Sequence, residues 1–279
     1  MNRFLLCTDL DRTLIPNGIQ PEAAGARERF KRLVSRTDVT LVYVTGRHRR
    51  LIEKAIADFQ LPQPDFAIAD VGSTIYRVDP SKWQQWDDWN AQIAPDWRGL
   101  SHDELNCLLS VFPLLHLQAK EKQNRHKLSF NVPLETDMQV LLGEMDTRLR
   151  RAGIKANLIW SIDEEAGLGL LDILPASANK LHAIRFLMQK NGFLLKDTIF
   201  AGDSGNDLDV LLSNIPSVLV ANAEDQIKGR AANADMDTLY IAKGGYLGMN
   251  GNYCAGILEG AAHYWPEIDK ILNEMDLPR

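Results

Sequence analysis

Cysteine is scarce in this chain of 279 residues: only Cys7, Cys107 and Cys254 occur. The set is odd in number, widely spaced and without a CxxC pair, so neither a disulfide framework nor a cysteine-ligated metal site is expected. Long apolar runs are missing too. Nothing approaches the roughly 20 residues of a membrane span, and "FLLC" before the first acid is too short for a signal-peptide core. Positive charge is not in excess, since 31 Lys and Arg stand against 37 Asp and Glu for a net charge of −6. That balance speaks against nucleic acid or an anionic membrane as the main partner, though a local basic pocket can still hold an anionic small molecule. The glycines form neither a P-loop nor a dinucleotide fingerprint. What remains is the expectation of a cytoplasmic, globular protein, whose 45% hydrophobic and 24% charged residues suffice for a sizeable core.

The patterns that are present alternate between strand and helix. "RFLLCTDL" is a short apolar run without polar alternation, the pattern of a buried parallel strand. Helical spacing follows over Pro21 to Ser35, then a β-rich run over Val39 to Val44, then a helix over Arg50 to Gln60. "DFAIADVGSTIYRV" reads as two strands around a Gly-Ser turn, a hairpin. From about Pro80 the texture changes: Trp83, Trp86, Trp89 and Trp97 crowd together. "HKLSFNV" and "KANLIWSI" read there as strands with a helix over Thr136 to Ala152 between them. After Pro175 the alternation resumes, with a helix from Lys180, the strand "TIFAG", a helix from Leu208 and the strand "SVLVAN". These patterns predict a doubly wound α/β core over 1–80 and 172–279, with an inserted α/β cap over 81–171.

Ligand sites in parallel sheets lie beyond the carboxyl ends of the strands, and four such ends carry polar groups here. The first carries Asp9 and Asp11, on the same side if the extended chain continues. The second carries Thr45, Gly46 and Arg47. Asn179 and Lys180 open a helix at the third, and "GDSGND" supplies Asp203 and Asp207 at the fourth. Two carboxylates so close resist ionising together unless a cation lies between them. A hard ion such as Mg²⁺ takes oxygen ligands, which Asp9 and Asp203 can offer with help from Asp207, and Asp11 is counted with them as a candidate metal residue. An EF-hand is excluded, because a loop starting at Asp9 has Thr13, Leu14 and Gln20 where an oxygen ligand, Gly and Glu are needed. Thr45 and Lys180 supply a hydroxyl and a positive charge, the equipment for a phosphoryl group as charge builds on its oxygens. One aspartate can then attack phosphorus while the other moves a proton to the leaving alcohol and from water.

"DLDRT", Thr45, Lys180 and "GDSGND" resemble, in order, the four motifs of the haloacid dehalogenase superfamily of phosphatases. The resemblance implies Asp9 as nucleophile, Asp11 as general acid and base, Thr45 and Lys180 as phosphate ligands, and Asp203 with Asp207 as the Mg²⁺ end. "VTGR", "VGSTIY", "LDILPASANK" and "CAGILEGAAHYW" look most like the sucrose-phosphate phosphatase family, which implies a sugar-phosphate substrate. Mannosylfructose-phosphate, mannosyl-phosphoglycerate and glucosylglycerol-phosphate phosphatases share much of this plan. Arg12 departs from the Gly common in the superfamily, and "ANK" replaces Ser-Asn-Lys. Lys127 corresponds to a family lysine in a "K-[IL]-S" strand and is the expected substrate contact from the cap, with Gly46, Arg47 and Asn179 as further candidate substrate contacts; Arg47 equally suits covering the start of its helix. The tryptophans at positions 83, 86 and 89 recur at helical spacing and are read as packing rather than a sugar platform. Phosphotransfer to a second sugar and a non-catalytic binding module are the rival functions. Docking on a sugar-phosphate synthase is conceivable from the resemblance, but no motif carries it.

Overall fold

Strand β1 (Phe4–Thr8) is buried along its whole length, as its unbroken apolar run requires. The computed structural model describes residues 3–79, 81–163, 167–231 and 237–275; the Pro80 boundary of the expected insertion falls outside them. The larger sheet continues with β2 (Val39–Val44), β3 (Phe66–Ala69), β4 (Thr74–Asp79) and β5 (Lys82–Gln85). A second sheet is built from β6 (His116–Leu117), β7 (Leu128–Val132), β8 (Ala156–Asp163) and β9 (Leu168–Pro175). The chain then returns to the first sheet with β10 (Thr198–Gly202), β11 (Ser217–Leu219) and β12 (Leu239–Ile241).

The eight-stranded order is β12-β11-β10-β1-β2-β3-β4-β5. Pairing is parallel from β12 to β3 and antiparallel for β4 and β5. Alternate side chains of each strand enter opposite layers. Phe4 and Leu6 pack with helices 26–34, 49–58 and 254–264, whereas Leu5 and Cys7 pack with helices 180–191 and 225–231. Both faces are therefore covered, and the chain winds in opposite directions from β1, which makes the ends of β1, β2 and β10 the switch point where ligands bind.

The smaller sheet, β6-β7-β9-β8, is wholly antiparallel. Leu128, Phe130, Leu171 and Ile173 bury one face under helices 102–109 and 138–151. The first of these helices carries a complete capping box between Ser101 and Glu104. Register places Ser129, Asp172 and Ile159 side by side on the other face, which looks toward the switch point of the large sheet.

The tryptophan cluster corrects one expectation. Trp83 lies in β5 and Trp89 in the helix Asp87–Ile93, so the three-residue spacing is not one helical face. All four tryptophans are buried as packing predicts, but Trp83, Trp86 and Trp89 join the cores of the large sheet and Trp97 that of the small one. Residues 82–93 thus pack with the larger unit, and the second module takes shape only beyond Ile93. Two crossings meet at Asp96, whose carboxylate accepts from the Ser177 amide (2.7 Å) and hydroxyl (2.5 Å).

Candidate active site

Asp9 continues the line of β1, its amide donating to the Ala201 carbonyl at 2.9 Å. The chain then coils tightly: Leu14 and Ile15 both donate to the Leu10 carbonyl, at 3.0 and 2.7 Å. Beyond β2, the Thr45 amide bonds to Ile68 at 2.8 Å, and its hydroxyl accepts from the Arg47 amide at 3.2 Å. Lys180 opens its helix because the Asn179 side chain caps it, accepting from the His182 amide at 2.8 Å. After β10, the Asp207 carboxylate folds back against Gly202. A Cβ at Gly202 would stand 2.6 Å from its Cγ, so a glycine is needed there. The same carboxylate accepts from the Asp203 and Ser204 amides at 3.2 and 3.1 Å, fixing the acidic loop.

These loops converge on one ammonium. Lys180 Nζ donates to Asp9 Oδ1 at 2.9 Å, Asp207 Oδ1 at 2.7 Å and Asn206 Oδ1 at 3.0 Å. Burial alone would discourage its charge, but Asp207 and Asp9 more than offset this and raise its pKa. Burial pushes the Asp9 carboxyl well above its ordinary value; Lys180 pulls against that rise, and Asp207 and Asp203 add to it. Asp203 is pushed up to about 6, by burial and then by Asp207, against Thr13, Arg12 and Lys180. Asp11 behaves differently. Burial acts upward on it too, yet Arg47 grips both its oxygens (2.8 and 2.6 Å) and Asn17 adds a third bond (2.8 Å), bringing its pKa below the usual value.

The donor set suits a hard divalent ion. Asp9, Asp203 and Asp207 bring a carboxylate oxygen each to within 4.8 Å of one another, all three residues buried. Lys180 is the cation bonded inside this group, and Arg12 approaches Asp203 only to 3.5 Å. Unneutralised carboxylates are costly to bury, and oxygen-only donors of this kind match Mg²⁺. Asp207 already shares both oxygens with Lys180 and the loop amides, so Asp9 and Asp203 hold the freer lone pairs. The Asp11 side chain stands apart from the carboxylate cluster, held by Arg47 and Asn17.

A cleft of about 780 Å³ opens over these groups. Asp9, Asp11, Thr45, Gly46, Arg47 and Asp203 line its floor, and Gln118, Lys122, Lys127, Ile159 and Asp172 reach it from the smaller sheet. The sequence-predicted residues are therefore brought close together. Asn179 gives its side-chain oxygen to its own helix and lines an adjoining groove, beside Asn206 and Asp209, that shares Val71, Ile159, Gly205 and Asn206 with the cleft. That capping bond holds the Asn179 side chain at the helix end.

The motifs do not announce every participant. Asn17 and Thr13 hold Asp11 and Asp203 (2.8 and 3.0 Å) from the coil after β1. Asn206, third partner of Lys180, sits inside "GDSGND" and could have been inferred from it. Asp172 is signalled by the alternation in "LLDILP", where it must face away from the buried Leu171 and Ile173.

Comparison with known proteins adds independent findings. The family model described as sucrose-6F-phosphate phosphohydrolase matches residues 2–265. A protein of Nitrosococcus oceani described as a HAD-like hydrolase is 50% identical over 269 residues, covering 95% of this chain and 72% of that one. Tobacco (Nicotiana tabacum) sucrose-phosphatase 1 is 32% identical over 271 residues, covering 94% of this chain. The chain spans only 59% of the tobacco protein's length. Among solved structures, the Synechocystis sucrose-phosphatase in complex with sucrose and phosphate superposes with a TM-score of 0.73 at 25% identity. That match covers 95% of this chain and 98% of the other.

Proposed function

The chain belongs to the sucrose-6F-phosphate phosphohydrolase family, and we propose that it is a Mg²⁺-dependent phosphatase hydrolysing sucrose 6-phosphate to sucrose and phosphate. The observation that carries this reading is the Asp9 carboxylate at the floor of the cleft, one oxygen fixed by Lys180, with Thr45, Asp11 and Asp203 around it. Asp9 attacks phosphorus and forms the new P–O bond as the bond to the sugar oxygen breaks. Asp11 gives that oxygen its proton, so sucrose leaves neutral. In the second half Asp11 takes a proton from water, whose oxygen attacks the phosphoryl-aspartate, freeing phosphate and restoring Asp9. Thr45 donates a hydrogen bond, and Lys180 lends positive charge, to the non-bridging oxygens throughout. Mg²⁺, held by Asp9 and Asp203 with Asp207 organising the loop, would supply further positive charge at the phosphoryl group.

Arg47 sets the timing of Asp11. The two hydrogen bonds it donates to the carboxylate favour the ionised, proton-accepting form. Acting first as an acid therefore requires the guanidinium to loosen, and an incoming phosphate is the natural competitor for it. Lys127, on the cap side, meets the sugar. The proximity of both sheets to one cleft supports a substrate with a phosphate end and a hydroxyl-rich end.

Phosphate release from a panel of esters, with Mg²⁺ and with chelator, tests the proposal. The panel holds sucrose 6-phosphate, mannosylfructose phosphate, mannosyl-phosphoglycerate, glucosylglycerol phosphate and hexose 6-phosphates. Fast, chelator-sensitive release from sucrose 6-phosphate is expected. Preference for another glycosyl ester keeps the mechanism and moves the substrate. Absence of release from all of them overturns the phosphatase reading in favour of a transferase or a binding module.

A further inference from the structure

The turn joining β3 to β4 is strained. Asp70, Val71 and Gly72 have φ values of 52°, 60° and 100° in succession, a region costly for any residue with a Cβ and more so for a β-branched valine. Such a turn persists only if its surroundings over-determine it, and it is gripped from three sides. On one side the Asp70 and Val71 amides donate to the carbonyls of Arg47 and Thr45, both at 3.1 Å. On the second, Gly72 presses on the helix start, where an added Cβ would lie 2.4 Å from the Asn179 carbonyl carbon and 2.8 Å from the Lys180 nitrogen. On the third, the Asn124 amide group donates to the hydroxyls of Ser73 (3.2 Å) and Thr74 (3.3 Å).

The third side also carries charge. Asp70 Oδ1 faces Lys127 Nζ at 3.8 Å, and the same ammonium pairs with Asp172 at 3.2 Å. Asp172 is itself fixed by the Ser129 hydroxyl at 2.5 Å. Asp70 and Lys127 are 4% and 8% exposed, so neither is a casual surface charge. Burial pushes Asp70 up to about 6 even with Lys127 opposite and hydrogen bonds from Asn124 and Thr74, and Asp172 adds to the rise; Tyr76 is a further ionisable neighbour. The phosphoryl chemistry has no use for this carboxylate. A buried acid on a strained turn, aimed at a lysine of the other module, calls for a different role.

We infer that Asp70 is a positioning residue: it holds Lys127 over the cleft and ties the seating of the cap to the loops carrying Thr45, Arg47 and Lys180. This role rests on the phosphatase reading for its substrate and goes beyond it. Asp70 does not touch the ester. It sets where the sugar-side lysine stands relative to the phosphate site, so discrimination between a glycosyl phosphate and a small aryl phosphate depends on it, and attack on phosphorus does not.

The test compares wild type, Asp70→Asn, Lys127→Met and the double variant. Asparagine suits the left-handed backbone and removes the charge. Each protein is assayed on the best glycosyl phosphate of the panel and on p-nitrophenyl phosphate, and hydrogen exchange is followed over residues 122–132. Asp70→Asn should raise KM for the glycosyl ester about tenfold with kcat nearly unchanged. It should leave p-nitrophenyl phosphate turnover as in wild type and speed exchange around Asn124–Ser129. The double variant should be no worse than Lys127→Met alone. An unchanged KM, equal losses on both esters, or multiplicative effects in the double variant would each overturn the inference. If Asp70→Asn fails to fold, Lys127→Met breaks the same pair from the cap side and the exchange measurement decides. Failure of the phosphatase reading shows differently, as wild type that cleaves no glycosyl phosphate; exchange then still reports whether Asp70 ties the cap.

Discussion

Replacing Lys180 by methionine removes one charge and keeps nearly all of the alkyl stem, which isolates what the ammonium contributes. The side chains of Lys180, Asp9 and Asp207 are 1%, 6% and 0% exposed, with contacts of 2.9 and 2.7 Å. At an effective dielectric of about 20, each contact has a gross attraction of roughly 6 kcal/mol, much of it consumed by desolvation. Breaking a buried pair from one side costs about 3–5 kcal/mol, because the partner is left charged and alone. Urea unfolding in chelator should show that loss near pH 8. The pH dependence follows from direction. Asp9 and Asp203 have folded pKa values raised above their unfolded ones, so in the window between them the unfolded chain binds fewer protons and stability falls as pH rises. Removing Lys180 widens that window for Asp9. The variant's deficit should therefore be small near pH 5, where the carboxyls take protons instead, and full near pH 8. A deficit equal at both pH values, or below about 1 kcal/mol at pH 8, would refute the reasoning.

Two further outcomes follow from the same geometry. Asp11→Asn should slow turnover by about 10²–10⁴-fold and let a phosphorylated protein accumulate in rapid-quench experiments, since water loses its base; steady-state rates near wild type would remove Asp11 from the mechanism. Gly72→Ala forces a Cβ into the Asn179 backbone at a φ of 100° and should cost roughly 2–4 kcal/mol and reduce kcat, because Lys180 shifts with its helix. Wild-type melting temperature and rate would show that the close approach at Gly72 is not required.

Much of this site is legible in the order of residues, for a physical reason. An apolar run that ends abruptly in carboxylates, a threonine or a glycine-rich acidic loop announces a strand end, and parallel sheets gather their ends on one edge. Asp9, Thr45 and Asp203 are legible in that way, and the cap strands are legible from their apolar alternation. The tryptophans are not, since a spacing of three fits an edge strand, a turn and a helix start as well as one helical face. β5 gives no period of its own, with a single inward Trp83 among polar neighbours. Asp70 and Asn124 leave no trace in the pattern, because their partners lie in the other module and long-range pairs have no periodicity.

The central claim is that the phosphoryl group passes through Asp9. Single-turnover reaction with ³²P-labelled sucrose 6-phosphate, quenched in acid and digested, tests it most directly. Label is expected on the peptide containing Asp9, appearing before free phosphate and absent from Asp9→Asn. Full release of labelled phosphate with no labelled peptide at any time, or continued turnover by Asp9→Asn, would contradict it.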